Sequence, residues 1–278
     1  MTFTERDLSP FVLADADGVY DVKNSVYLSE NSMIDGAVYQ GSVAKYRNIV
    51  LTLTDNKAYQ SDRDRLNQLF KDKEPGTLYF REGDNPTRKI EYIVESMTST
   101  GKQGKRDHQI SLICPDPFFY DVDDQEEKMA SWVSAFEFEK EFDAAGFEFG
   151  YQTDERLKTI TNEYAEDNTG MTIIMTCSGA VVNPSVTRVE SNEAIYVGSS
   201  AKPFEMQAGD VLTITTATGN KHVTLTRGGA TSEVNQYLTE DSVFIQLMRG
   251  DNTIGYDADS GAANLSVEVQ YRLKYARA

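Results

Sequence analysis

Apolar and polar residues alternate along much of this chain with a period of two, and that pattern predicts strands rather than helices. In 108–114 (HQISLIC), Ile110, Leu112 and Cys114 fall on one face, and Gln109, Ser111 and Ile113 on the other. Pro115 and Pro117 then end the strand, because neither can donate to a ladder and each restricts the residue before it. Phe118, Phe119 and Tyr120 follow, with an acidic run directly after them, so this stretch reads as a seam between two β-rich domains. Upstream, 43–53 predicts a long strand in which Ile49, Leu51 and Leu53 share a face. A single helix is predicted over 61–72, where Ser61 and Asp64 have capping-box spacing and Leu66, Leu69 and Phe70 form a stripe. Strands resume at 77–80 and 89–94. One helix among many strands predicts a small barrel or sandwich with the helix laid across an open side.

Beyond the seam, Trp132, Phe136, Phe138 and Phe142 share one parity, and Glu137, Glu139 and Glu141 the other. With the turn at 143–146 and the alternation of Phe147, Phe149 and Tyr151, this predicts a hairpin over 131–151. Its like-charged outer face would resist pairing with stray strands. From Met171 onward short strands recur every eight to twelve residues, at 172–176, 186–189, 194–197, 211–214, 223–225, 243–247, 253–256 and 265–271. Turn signals such as Asn183-Pro184, Gly219-Asn220 and Gly228-Gly229 lie between them, which predicts an all-β sandwich or jelly roll. The expected domains are a ring-forming β domain over 1–121, an acidic connector with a hairpin over 122–170, and a sandwich over 171–278 on which the hairpin packs.

A length of 278 residues suits two domains, each with its own core. The net charge of −17 is concentrated in the middle, where 121–170 holds 4 basic and 15 acidic residues. A chain so charged is not built to grip nucleic acid. No apolar run approaches a membrane span, and the first residues do not read as a secretion signal. Cys114 and Cys177 fall on opposite sides of the seam and read as buried free thiols. His108 and His222 lack partners at metal-ligand spacing, and 121–127 lacks the glycine and distal glutamate of a calcium loop. No phosphate loop, dinucleotide fingerprint or nucleophile elbow occurs, so no catalytic, cofactor or metal site is assigned. Trp132, Tyr196, Tyr237 and Tyr256 are candidates for stacking on a sugar ring, and each has core or turn packing as its alternative.

Two sets of motifs carry a family resemblance. The first is 65–70 (RLNQLF), 75–80 (PGTLYF), 88–94 (RKIEYIV) and 112–121 (LICPDPFFYD). The second is 183–186 (NPSV), 204–210 (FEMQAGD), 238–244 (LTEDSVF), 250–254 (GDNTI) and 264–269 (NLSVEV). In this order they resemble the siphovirus tail component family, the distal tail proteins of long-tailed bacteriophages. The resemblance implies a hexameric ring at the virion tail tip, assembled in the host cytoplasm. Its N-terminal domain would meet the tail tube above and the tail-associated hub or fibre protein below. Its C-terminal domain, a galectin-like sandwich, would carry adhesion parts such as a receptor-binding protein, or meet host glycan. Related rings occur in phage-tail-like bacteriocins. Met33, Ile34 and Tyr39 are then candidates for a subunit interface, with packing on their own domain as the alternative. Acidic surface facing the ring lumen would let DNA pass without binding. The rival readings are a carbohydrate-binding adhesin module and a glycan-active enzyme.

Overall fold

The computed structural model describes the chain apart from residues 1–7, 9, 31–32, 34, 56–59, 102–105, 130–131, 135–149, 153–155, 164–167 and 278. Two compact units result, one of Met1–Val122 with Lys274–Ala278 and the other of Asp123–Leu273.

The first unit runs β1 (Val12–Asp17), β2 (Asn24–Glu30), β3 (Ala37–Ala44), β4 (Arg47–Asp55), α1 (Gln60–Leu69), β5 (Pro75–Phe80), β6 (Arg88–Thr100), β7 (Arg106–Cys114) and β8 (Phe119–Asp121). Its main sheet is antiparallel, ordered β1-β4-β7-β6-β8, and a last strand, Lys274–Tyr275, pairs with β8. β5 pairs with β6 as well. The seam strand faces as its alternation requires: His108, Ile110, Leu112 and Cys114 are buried in β7. In β4, Ile49, Leu51 and Leu53 are fully buried, and the register sets Ile49 opposite Leu112 and Leu51 opposite Ile110. α1 stops three residues earlier than its pattern predicts, with Phe70 N–H donating to Leu66 O. Lys73 then takes φ 65°, a left-handed turn that no helix continues. Leu66 and Phe70 join the sheet residues in one core, and the Phe70 ring lies 6.1 Å from Tyr92.

Arg47 ties this unit's turns together. It is 5% exposed. Its guanidinium donates to the carbonyls of Pro117, Gly18, Val19 and Ala276, and sits 4.9 Å from the Phe119 ring centre. A buried cation is tolerable on these terms because four of its five N–H groups face carbonyl oxygens. Arg88 holds the same returning segment, stacking 3.7 Å over Tyr275 and donating to the Arg277 carbonyl. The residues after Leu273, expected to stay with the C-terminal sandwich, therefore belong to the first unit.

The second unit contains β9 (Gln125–Lys128), β10 (Trp132–Ser134), β11 (Gly150–Gln152), β12 (Leu157–Asn162), β13 (Met171–Cys177), β14 (Val181–Arg188), β15 (Glu193–Tyr196), β16 (Glu205–Met206), β17 (Val211–Ala217), β18 (Asn220–Arg227), β19 (Ala230–Glu233), β20 (Gly250–Ser260) and β21 (Leu265–Tyr271), and Lys274–Tyr275 is β22. One sheet is ordered β12-β20-β14-β15, with β16 beside the start of β14, and the other β19-β18-β17-β13-β21-β9. Strict alternation builds the core. Ile214, Ile173 and Val269 lie opposite one another across three strands, as do Leu212, Met175 and Val267, and all six are buried. The opposing sheet buries Val181, Val186, Ile195 and Ile254. Two sheets with alternating burial are consistent with a galectin-like sandwich.

Three expectations differ here. The acidic stretch read as a connector supplies edge strands to both sheets, β9 beside β21 and β12 beside β20. The strand predicted at 243–247 forms no ladder. Scattered bonds hold it: one from Val243 N to Ala194 O, a reciprocal pair between Thr169 and Leu247, and one from the buried Arg188 to Gln246 O. The turn-rich stretch 228–233 hides the short strand β19. Of the predicted hairpin over 131–151, Trp132–Ser134 pairs antiparallel with Gly150–Gln152, and its glutamate and phenylalanine faces lie outside the described residues. Cys114 and Cys177 are buried free thiols, and burial pushes Cys114 up to about 12.

Candidate functional site

The β2–β3 hairpin is a two-stranded sheet of its own. Opposed residues of an antiparallel pair share a face, so its register sorts the side chains. Val26 with Ser42 and Leu28 with Tyr39 define one face; Ser25 with Val43, Tyr27 with Gly41 and Ser29 with Val38 define the other. Gln40 is left without an opposite number in a bulge between those two sets, which brings the Tyr39 hydroxyl to Ser42 Oγ at 2.9 Å. Each face thus carries three large apolar side chains. All six are exposed, from 54% for Val43 to 65% for Val38. Met33, in the connecting loop, is 90% exposed.

An isolated two-stranded ribbon is marginal in water, and this one keeps neither apolar face against its own unit. Leaving six such side chains in water forgoes on the order of 10 kcal/mol of burial. The arrangement does no bond chemistry. It can supply two apolar faces to whatever flanks it. The sequence candidates Met33 and Tyr39 belong to this hairpin, and Ile34 lies outside the described residues. Val26, Tyr27, Leu28, Val38 and Val43 were missed as site residues, although the consecutive apolar runs at 26–28 and 38–39 carry the signal. Neighbours in a strand point to opposite faces, so such runs make both faces apolar.

The four sugar-stacking candidates are not brought together. Tyr256 is 4% exposed, within β20. Tyr237 packs on Phe204, ring centres 5.1 Å apart, and under the Lys202 ammonium at 4.9 Å. Trp132 is placed only by its backbone, in β10. Tyr196 alone lines a groove, a cleft of about 510 Å³ on the outer face of β14, β15 and β20.

Among the described residues no three His, Cys, Asp or Glu side chains are grouped to hold a metal. His108 is fully buried, its Nδ1 2.8 Å from Ser99 Oγ, and burial pushes its pKa down. His222 is exposed beside Glu233 at 3.2 Å. Asp210 is held below the usual carboxylate range by the Arg227 guanidinium, which grips it at 2.5–3.0 Å. That pair pins the turn before β17.

The exposed apolar ribbon is the feature of the described residues that its own unit leaves uncovered. Residues 165–275 match the family described as siphovirus-type tail component, C-terminal domain. In fold, the whole chain is similar to SPP1 Dit (gp 19.1), described as a paradigm of hub adsorption apparatus in phages infecting Gram-positive bacteria. The TM-score is 0.70 at 13% identity, over 99% of this chain and 98% of that one. It is also similar to chains of the phage p2 baseplate in its activated conformation with Sr (TM-score 0.53, 12% identity) and with Ca (0.52, 11%), each over 98% of this chain and 94% of the other. No curated protein matches it in sequence. Residues 165–275 thus carry the likeness to the siphovirus-type tail component domain, and the chain as a whole shares the fold of SPP1 Dit.

Proposed function

We propose that six copies of this chain close into a ring at the virion tail tip, joining the tail tube to the hub and its adhesion apparatus. The observation that carries this reading is the β2–β3 hairpin with three exposed apolar side chains on each face. A ribbon apolar on both sides fits between two surfaces rather than on one. Repeating a heterologous contact around an axis gives each copy a neighbour on either side, and closure leaves no ribbon uncovered. The similarity to hub and baseplate chains supports placing the ring between tube and hub. Tyr39 and Met33 would contact the next copy or the tube protein. The chain's net charge of −17, multiplied around the ring, favours a lumen through which DNA slides without being held. The ring would form in the host cytoplasm before joining the virion.

Negative-stain class averages of the purified chain test this. Closed six-fold rings are expected. Isolated particles, or open filaments of any length, would overturn the closed-ring reading. For the lumen, neutralising its acids should slow DNA ejection, and unchanged ejection would remove that part.

A further inference from the structure

The outer face of the β15-β14-β20 sheet carries a second surface, unrelated to the hairpin and not dependent on the ring. Tyr196, Ser185 and Asp257 stand opposite one another on three adjacent strands, so all three side chains leave the same face of the sheet. Beside this row the floor is opened by two backbone features. Gly198 has φ +100°, and a Cβ there would run into Asn183 Oδ1 and Phe204. Asn183 is itself at φ 50°, unusual inside a strand, and 8% exposed. Both ends of its amide are engaged: Oδ1 accepts from Phe204 N at 2.8 Å and Nδ2 donates to Asp259 Oδ2 at 2.7 Å. Asp259 is thereby fixed at the edge of the cleft.

The far wall is Gly198, Ser199 and Ser200 together with Thr239 and Asp241. It is braced from behind. Ser199 and Lys202 exchange backbone bonds at 3.0 and 3.1 Å, and the Lys202 ammonium donates to Gln236 O at 2.7 Å over the Tyr237 ring. Ser242 Oγ bonds both backbone groups of Tyr196. A cleft of about 510 Å³ with fixed walls is the size of an ordinary small-ligand site.

We propose that this groove binds a neutral saccharide, the Tyr196 ring covering one face of a pyranose while Asp241, Asp257 and Asp259 accept hydroxyl hydrogens. The chemistry of the walls selects this class. No lysine or arginine lines the groove; Arg156, outside the lining, pairs with Asp257 at 3.7 Å, and a phosphate or carboxylate on the ligand would still face Asp241 and Asp259. The carboxylates do not converge as a metal cluster would, since no such group exists among the described residues. Spread acceptors, flanking serine and threonine hydroxyls that can donate or accept, and one half-exposed aromatic ring suit a ring of hydroxyls with an apolar face. Tyr196 is 42% exposed, leaving its ring free to be covered.

Saturation-transfer NMR and calorimetry on the full chain test the site, with a panel of neutral hexoses, N-acetylhexosamines and their disaccharides as probes. Inorganic phosphate and calcium chloride serve as contrasting probes. At least one neutral sugar should bind in the millimolar range or tighter, with transfer strongest on protons of one ring face, and phosphate should not compete. Tyr196→Ala should weaken binding about tenfold or more. Ser200→Trp, at the exposed rim, should block binding while leaving the melting temperature unchanged. The proposal fails if no probe sugar binds at tens of millimolar, if both variants bind as the wild type does, or if calcium or phosphate occupies the groove in place of sugar.

Discussion

The β13–β21 ribbon of the second unit and the β2–β3 ribbon of the first are both antiparallel pairs rich in apolar side chains, and they place them in opposite ways. In β13–β21 one parity is buried along almost the whole length, and Ile173 and Val269 lie at 0% exposure against the opposing sheet. In β2–β3 both parities are apolar and both are exposed. A ribbon with one apolar face is satisfied by its own domain. A ribbon with two needs a layer on each side, and its own unit supplies neither. The difference separates residues that hold the fold from residues that, on the ring reading proposed above, hold the assembly.

The sharpest way to break this comparison is to put a charge into each ribbon. Ile173→Asp should unfold the second unit, because an unpaired buried carboxylate costs several kcal/mol against a marginal total. Leu28→Asp with Val38→Asp, one charge on each hairpin face, should leave the melting temperature within a degree or two and abolish assembly. Calorimetry with sedimentation separates the two outcomes. If the hairpin variant melts like the Ile173 variant, the ribbon belongs to the fold after all.

Next in size is truncation within the cores. Ile173→Ala should cost about 2–5 kcal/mol, and Leu28→Ala less than about 0.5 kcal/mol, by denaturant titration of the dissociated chain. Arg47→Met tests the first unit's own closure. It removes one donor set from four carbonyls and should cost about 3 kcal/mol, read as earlier unfolding of the first unit alone.

The smallest effects are in the pH dependence, and they divide the units. The folded pKa of His108 is depressed by burial, so the unfolded chain binds the proton more readily. Its contribution is complete above the ordinary histidine value, about 6.5, and is lost as pH falls below it. Asp210 is depressed by Arg227, so its contribution holds above about pH 4 and is lost only as pH falls further. Acid titration should therefore loosen the first unit before the second, and His108→Gln should bring the two midpoints closer. Simultaneous loss of both units in the wild type would contradict this.

Much of the fold could be read from alternation, because a half-buried strand must repeat every two residues. The inward faces of β4, β7, β13 and β21 follow directly from Ile49, Ile110, Ile173 and Val267. What escaped was decided by partners far away in sequence. The return of Lys274–Tyr275 to β8 depends on Arg47 and Arg88, which lie more than 180 residues earlier. The acidic charge of 121–128 disguised an edge strand, since an edge exposes one whole side to water. The site was half visible. Tyr39 and Met33 stood out as apolar residues in a polar loop, but pairing β2 with β3, and shifting it at Gln40, is what sorts six side chains into two faces. Likewise Tyr196, Tyr237 and Tyr256 look alike in sequence, and only their neighbours separate a groove wall from packing.

Whether apolar ribbons such as β2–β3 exist to be covered by other copies is decided most directly by the solution mass of the wild-type chain beside the Leu28→Asp, Val38→Asp variant, measured by light scattering. Six copies of 31.1 kDa predict about 187 kDa for the wild type and 31.1 kDa for the variant. A wild type that stays at 31.1 kDa at every concentration, or a variant that keeps the assembled mass, would contradict it.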